Sequence, residues 1–267
     1  MQSGTSDTTG IRFTPSAISR EVTEETLKNL DLNPELLEEL QTIPVETLWK
    51  ATEKALQTVA DRHRIPSPLG DGYSLMFQPV SGTDFLPLDP VQEHGFAPSG
   101  KDVPLLIGSN LNEWTTIFPF TAHKNMTERQ KILYAKAYPQ EDFDTAEFVD
   151  TRFRPTTKLA MDHKAEQNGA PVYAYMFTKQ IGNAGVYHTA EIPFVFSNTK
   201  ETSPLADTMT ALWSSFAHTG IPKAKGVSKW KPYTVQNGYT MILDDHSYLT
   251  QHHDDALMQA MTNSELR

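Results

Sequence analysis

The sequence predicts an α/β fold with a partial, mostly parallel sheet and a helical cap insertion, and three observations support this. From residue 101 onward, strand-forming and helix-forming segments alternate in the order strand, helices, strand, helix, strand. The segment 103–107 is continuously apolar, which is typical of a strand buried on both faces of a parallel sheet. Three helical segments follow one another between residues 19 and 60, which indicates a cap or lid rather than a layer of such a sheet.

Residues 19–100 are predicted to form the helical cap and its loops. Ser19 is a candidate N-cap for the first helix, and Pro34 opens the second at a favourable early position. A third helix follows the next proline. The segment 65–100 contains six prolines, which forbid long elements, so we expect ordered loop with one short strand near 75–77.

Residues 101–267 are predicted to carry the sheet. After the strand at 103–107, the expected elements are helices over 127–138 and 148–164, a strand over 171–177, a helix over 207–217 and a strand over 239–243. Gly220 ends the last helix, and the turn Asn237-Gly238 leads into the last strand. About three core strands are few for an independent open sheet, which needs several strands with helices on both faces.

Composition excludes several classes of function. The formal net charge is −10, so no basic patch is available to neutralise phosphates, and we expect no nucleic-acid partner. The chain has no cysteine, which excludes disulfides, thiolate metal sites and a cysteine nucleophile but leaves the localisation open. No stretch approaches the roughly 18 apolar residues of a membrane span, and no signal peptide is expected from the first residues.

One acid and one histidine stand out, because each follows a predicted strand. Glu113 comes after the 103–107 strand among turn-favouring residues, at the end where open α/β sheets present site residues. His188 lies in a loop after the 171–177 strand, where a general base can be partly exposed with a pKa near neutrality. Together they follow the order of the last two members of the Ser…Asp/Glu…His triad of α/β-hydrolases. A surface glutamate and an ordinary loop histidine remain the open alternative.

The nucleophile of such a triad is missing. No G-x-S-x-G elbow occurs in the 267 residues. Four serines in loop-like segments lack the elbow glycines, and none is a credible nucleophile: Ser6, Ser81, Ser109 and Ser197. The sequence therefore carries two of the three residues of a triad.

Two other groups have simpler interpretations. The run His252-His253-Asp254-Asp255 suggests a metal site, but adjacent histidines do not share one helix or strand face. We therefore expect a solvated tail there, with no metal and no cofactor in the chain. Trp49, Trp213 and Phe216 stand at helical spacing or in apolar company and are predicted to be core residues.

The segments 104–113 and 188–196 resemble the type-B carboxylesterases, and among them the bacterial para-nitrobenzyl esterases. The first reads Pro104-Leu105-Leu106-Ile107-Gly108-Ser109-Asn110 and reaches Glu113, and the second reads His188-Thr189-Ala190-Glu191-Ile192-Pro193-Phe194-Val195-Phe196. Further similar segments lie at 1–4, 77–87, 213–222 and 230–233. The resemblance covers essentially all of 1–267 but only the second, C-terminal half of the family's α/β-hydrolase fold.

The resemblance implies that Glu113 is the triad acid and His188 the general base of a serine carboxylic-ester hydrolase. The family's serine elbow and glycine-rich oxyanion loop would lie upstream of residue 1 and have no counterpart here. Trp114 stands where the family usually has a glycine, which would reshape the acyl pocket without affecting the acid. The chain alone is therefore expected to be inactive, and to act on carboxylic esters only when the missing half is supplied.

Two further expectations concern partners. The alternative function is a non-catalytic, cholinesterase-like interaction module. Such modules often lose triad residues, whereas this chain retains both the acid, Glu113, and the histidine, His188. Without the first half of the fold, the strand before Gly4 would have an unpaired edge, which predicts marginal stability and self-association through an exposed sheet edge. The cap helices at 19–60 and the loops at 65–100 would be the most mobile parts. Glu113 and His188 should still lie within hydrogen-bond reach.

Overall fold

The computed structural model describes residues 1–4, 13–67, 72–92, 95–113, 126–139, 150 and 153–265. The chain divides into two compact units, of which unit 1 comprises Met1–Thr5 and Gln92–Arg267, and unit 2 comprises Ser6–Val91. The division into a cap over 19–100 and a sheet portion over 101–267 stays a prediction. Among the described helices, none is both long enough and apolar enough to cross a membrane.

Unit 2 is built on two packed helices. Strand β1 (Thr14–Pro15) leads into α1 (Ser16–Asn29), and a 3-10 helix (Pro34–Thr42) separates it from α2 (Val45–His63). Strand β2 (Val80–Ser81) pairs in parallel with β1. The helices share an apolar contact formed by Val22, Ala55, Leu56 and Val59.

Two sequence-based expectations for the helices and strands of this unit were wrong. The first helix begins at Ser16, because Pro15, which has no amide hydrogen, occupies the N-cap position instead of Ser19. No strand forms at 75–77, since β1 pairs further along the chain, at Val80–Ser81.

Trp49 is not a core residue either, for it is 54% exposed. Its ring lies 6.2 Å from that of Phe77, which is also exposed. The side chain of Asn29, the last residue of α1, donates a 3.0 Å hydrogen bond to the carbonyl of Ala51. Because α1 ends at that level, Trp49 lies beyond the main contact between the two helices.

Unit 1 contains a four-stranded sheet with helices between its strands. Strand β3 (Val91–Gln92) lies where the chain passes from unit 2 to unit 1. The other elements of unit 1 are β4 (Gly95–Phe96), β5 (Leu105–Asn110), α3 (Glu128–Ala137), α4 (Phe153–Glu166), β6 (Val172–Phe177), α5 (Ile192–Val195), α6 (Pro204–Thr219), β7 (Tyr239–Leu243), β8 (Tyr248–Gln251) and α7 (Asp255–Glu265). The sheet order is β5-β6-β7-β8. The first three strands are parallel, and β8 is antiparallel to β7. The predicted mostly parallel α/β fold is therefore confirmed.

The sheet has apolar layers on both faces, as parallel sheets require. On one face, Leu106 and Tyr173 join a large buried cluster with residues of α3, α6 and α7. On the other, Ile107 and Ala174 pack with Met161 of α4. Every residue of β6 is buried. The site described below lies at the carboxyl ends of β5 and β6.

The free edge of β5 is covered by the first residues of the chain. Met1 donates its amino group to the carbonyl of Leu106 at 2.6 Å, and the amide of Ser3 donates to the carbonyl of Gly108 at 2.9 Å. A parallel bridge joins Gln2 to Gly108. This pairing brings Ser3 to the end of β5, and the self-association of the chain stays a prediction.

The expectation of a solvated tail at 252–255 was wrong for its two central residues. The side chains of His253 and Asp254 are only 5% and 1% exposed. Arg154 forms two hydrogen bonds with the Asp254 carboxylate, of 2.6 and 3.0 Å, and the Tyr138 hydroxyl donates a third of 3.2 Å. The His253 ring meets the edge of Tyr138 at 5.4 Å. The described residues contain no group of side chains that could hold a metal ion.

His253 is expected to make the stability of the chain sensitive to acid. Burial lowers the pKa of its imidazole to about 4, so between about pH 6.5 and 4 the unfolded state binds a proton that the folded state does not. The free energy of unfolding should therefore fall by about 3 kcal/mol as the pH is lowered through this window. Urea unfolding followed by tryptophan fluorescence at several pH values measures this loss.

The matched control is His253→Phe, which keeps an aromatic ring against Tyr138 but cannot take up a proton. Its free energy of unfolding should depend less steeply on pH than that of the parent between about pH 6.5 and 4. Parallel curves for the two proteins would show that His253 does not titrate in this way.

Candidate active site

The backbone places Glu113 against the loop that carries His188. Just beyond β5, the amide of Glu113 donates to the carbonyl of Val186 at 3.2 Å, and the carbonyl of Glu113 accepts from the amide of His188 at 2.8 Å. Glu113 adopts a left-handed conformation with φ of 46°, which is uncommon for a residue with a side chain and is often found at functional sites. These bonds extend the β5–β6 pairing into the two loops and fix their register.

The Glu113 carboxylate is completely buried and fully engaged. One oxygen, Oε1, accepts from the Ser3 hydroxyl at 2.5 Å and from the amide of Asn110 at 2.6 Å. The other, Oε2, lies 2.6 Å from Nδ1 of His188. An ionised carboxylate suits such a set of donors, because it only accepts hydrogen bonds.

His188 is held by Glu113 but is not sealed from solvent. Its side chain is 26% exposed, and its ring lies 5.5 Å from that of Phe153 at an angle of 35°. The hydrogen bond to Glu113 raises the pKa of the imidazole, partial burial opposes this, and the negative charges of Glu113, Glu191 and Asp150 raise it further. With Nδ1 directed at the carboxylate, Nε2 is the nitrogen that would exchange a proton with a substrate-side group.

Glu113 and His188 therefore lie within hydrogen-bond reach of each other, as the sequence analysis expects. Their catalytic role stays a prediction. Sequence reasoning missed Ser3 as a partner of the acid, because only the pairing of 1–3 with β5 brings it there. Ser109 is completely buried, with its hydroxyl 4.0 Å from the sulfur of Met176, which fits its rejection as a nucleophile. Ser6 and Trp114 lie outside the described residues.

Comparison with known proteins gives a match to one protein family over part of the chain. Residues 148–261, which include His188, match the model of the carboxylesterase family. A search of the curated proteins gave no match.

Solved esterase structures share the fold. An esterase of Clostridium hathewayi, described as able to hydrolyse aliphatic aromatic polyesters, superposes with a TM-score of 0.74 at 24% identity, covering 98% of this chain and 55% of that one. A PNB esterase gives a TM-score of 0.61 at 22% identity, covering 97% and 56%. The Geobacillus stearothermophilus carboxylesterase EST55 gives 0.58 at 22% identity, with the same coverage of both chains.

The chain thus spans about half the length of these solved structures, which agrees with the resemblance to one half of the family's fold. At these identities the structural similarity establishes the fold, and the family match supports a relationship to ester hydrolases over residues 148–261. The resemblance recognised in the sequence is confirmed to this extent: the chain has the α/β-hydrolase fold of the solved esterases, and its residues 148–261 match the model of the carboxylesterase family.

Proposed function

We propose that this chain is the part of a serine carboxylic-ester hydrolase that supplies the triad acid, Glu113, and the general base, His188. The observation that carries the proposal is the 2.6 Å contact between a buried carboxylate and a partly exposed imidazole. A loop histidine and a surface glutamate with no shared role would not need this burial or the backbone bonds that join their loops. The match of residues 148–261, which include His188, to the carboxylesterase family model supports the assignment of the base.

The chemistry assigned to each group follows from the geometry. Nε2 of His188 would take the proton of a serine hydroxyl as the serine oxygen attacks the ester carbonyl, and would then give that proton to the leaving alcohol. Glu113 would hold the imidazole in the required tautomer and stabilise the imidazolium. Water would hydrolyse the acyl-serine by the same proton transfers in reverse order. The serine and the oxyanion donors would come from a segment outside the 267 residues.

The experiment compares the chain alone with a joined protein that also contains a G-x-S-x-G segment. That segment is taken from the coding sequence upstream of Met1 or, where none is in frame there, from a solved esterase. We expect the chain alone to hydrolyse a short-chain aryl ester no faster than buffer does, because without a nucleophilic serine in a G-x-S-x-G elbow there is no covalent route. The joined protein should hydrolyse it and be inhibited by a fluorophosphonate.

Two outcomes would contradict the proposal. Fluorophosphonate-sensitive hydrolysis by the chain alone would show that it contains its own nucleophile. A joined protein that folds and is labelled by the fluorophosphonate, but has the same rate with and without the His188 side chain, would remove the base assignment and favour a non-catalytic interaction module.

A further inference from the structure

A second buried carboxylate lies beside the Glu113–His188 pair. Glu191 follows His188 by three residues and is 1% exposed. Its Oε1 accepts from Nε2 of Gln2 at 3.0 Å, and its Oε2 accepts from Nδ2 of Asn110 at 2.6 Å. The general-base mechanism described above does not use this residue.

The polarity of these hydrogen bonds fixes the charge of Glu191. The indole nitrogen of Trp213 can only donate, and it lies 3.3 Å from Oε1 of Gln2, so Gln2 must present its NH₂ group to Glu191. Both oxygens of Glu191 therefore face donors if the Asn110 amide is oriented in the same sense. A protonated carboxyl would place its own hydrogen against one of them.

The orientation of Asn110 is settled by the loop of the histidine. Nδ2 of Asn110 donates to the carbonyl of Tyr187 at 2.8 Å as well as to Glu191. Turning the amide over would set its oxygen against that carbonyl and against the carboxylate, which are both acceptors. Asn110 thus ties an ionised Glu191 to the peptide that joins Tyr187 to His188.

The same arrangement places charge near the imidazole. The acidic groups acting on His188 are Glu113, from the loop after β5, Glu191, from its own loop, and Asp150, which caps the start of α4. The Phe153 ring packs on the imidazole without charge. Glu191 differs from Glu113 in that its carboxylate accepts hydrogen bonds from Gln2 and Asn110.

We propose that Glu191 is a positioning residue of the site, which holds the Tyr187–His188 peptide through Asn110 and stabilises the protonated imidazole of His188 through its buried charge. Any effect of Glu191 on catalysis rests on the proposed function. Its effect on the position and protonation of His188 does not, and can be measured in the chain alone. A purely packing role would be satisfied equally by glutamine, which has nearly the same size and shape.

The test is an NMR titration of the histidine side chains in the full chain, which needs neither substrate nor nucleophile. His188→Gln identifies the His188 signal by its disappearance. The variants are Glu191→Gln, which removes the charge, and Glu191→Asp, which keeps it on a shorter side chain. Glu201→Gln, which changes an exposed glutamate further along the same connection, is the control.

We expect Glu191→Gln to move the His188 titration to lower pH, Glu191→Asp to lie nearer the parent, and Glu201→Gln to leave it unchanged. An unchanged titration in Glu191→Gln, or an equal shift in the Gln and Asp variants, would overturn the proposal. Failure of the joined protein to hydrolyse esters, with the expected titrations observed, would count against the proposed function alone.

A second measurement covers the case in which Glu191→Gln does not fold. In the parent chain labelled with ¹³C-glutamate, the Glu191 carboxyl signal is assigned by comparison with Glu191→Asp. Its chemical shift should be that of a carboxylate while the His188 signals titrate, because both of its oxygens accept hydrogen bonds from amide groups. A protonated Glu191 at neutral pH would overturn the proposal.

Discussion

Replacing His188 by glutamine in the joined protein is expected to lower kcat for a short-chain aryl ester by about 10⁴-fold or more. Glutamine can fill the space and accept or donate one hydrogen bond, but it cannot take a proton at neutral pH. The serine would then have no base, and the leaving alcohol no acid. Steady-state kinetics with purified proteins, corrected for hydrolysis in buffer, measure the loss.

The matched control is His218→Gln, which changes an exposed histidine near the end of α6 whose Nδ1 bonds to its own helix at the carbonyl of Ser214. Its kcat should stay within about two-fold of the parent, since it lies outside the proposed triad and surface substitutions have small effects. If His188→Gln retained a tenth or more of the parental kcat, His188 would not be the general base.

Replacing Asp254 by asparagine is expected to lower the free energy of unfolding by about 3 to 5 kcal/mol. The substitution leaves the Arg154 guanidinium, whose side chain is 3% exposed, without its compensating charge. The Asp254 carboxylate also accepts a hydrogen bond from the Tyr138 hydroxyl at the end of α3. The substitution therefore weakens the contacts that join the residue before α7 to both α3 and α4. Urea unfolding followed by tryptophan fluorescence gives the difference.

The comparison is a salt bridge in the same unit that faces solvent. Lys179 and Asp245 lie 2.5 Å apart with side chains 30% and 60% exposed. Asp245→Asn should cost at most about 1 kcal/mol, because exposed ion pairs gain little over hydration. Equal losses of unfolding free energy in Asp254→Asn and Asp245→Asn would show that burial does not increase the cost of breaking the Arg154–Asp254 pair. A combined change of Arg154 and Asp254 to apolar residues should recover much of the loss.

Local sequence patterns predicted the core strands well. The strands expected at 103–107, 171–177 and 239–243 correspond to β5, β6 and β7, because buried parallel strands are continuous apolar runs. The edge strand β8 was missed, since its sequence Tyr248-Leu249-Thr250-Gln251 is mixed and its residues are only partly buried. The wrongly expected strand at 75–77 has suitable residues, but it has no partner strand within the part of the chain that the structure describes.

Contacts between distant segments could not be predicted in the same way. Glu113 and His188 were found because each follows a strand, and parallel neighbours end at the same edge of a sheet. Ser3 lies 110 residues from Glu113 in the sequence, and its role depends on the pairing of 1–3 with β5. His253 and Asp254 are expected in solvent because polar runs usually lie there. In the structure the Asp254 carboxylate is buried, and Arg154, 100 residues away in the sequence, compensates its charge.

The pairing of Glu113 with His188 as a single catalytic unit is tested most directly by the kcat of Glu113→Gln, His188→Gln and the double variant in the joined protein. Glu113→Gln alone should lower kcat by about 10⁴-fold, since the imidazole loses its orientation and its counter-charge. If Glu113 acts through His188, the double variant should be no slower than His188→Gln alone, because residues of one unit are strongly non-additive. A double variant whose loss equals the product of the two single losses would contradict the assignment of acid and base to this pair.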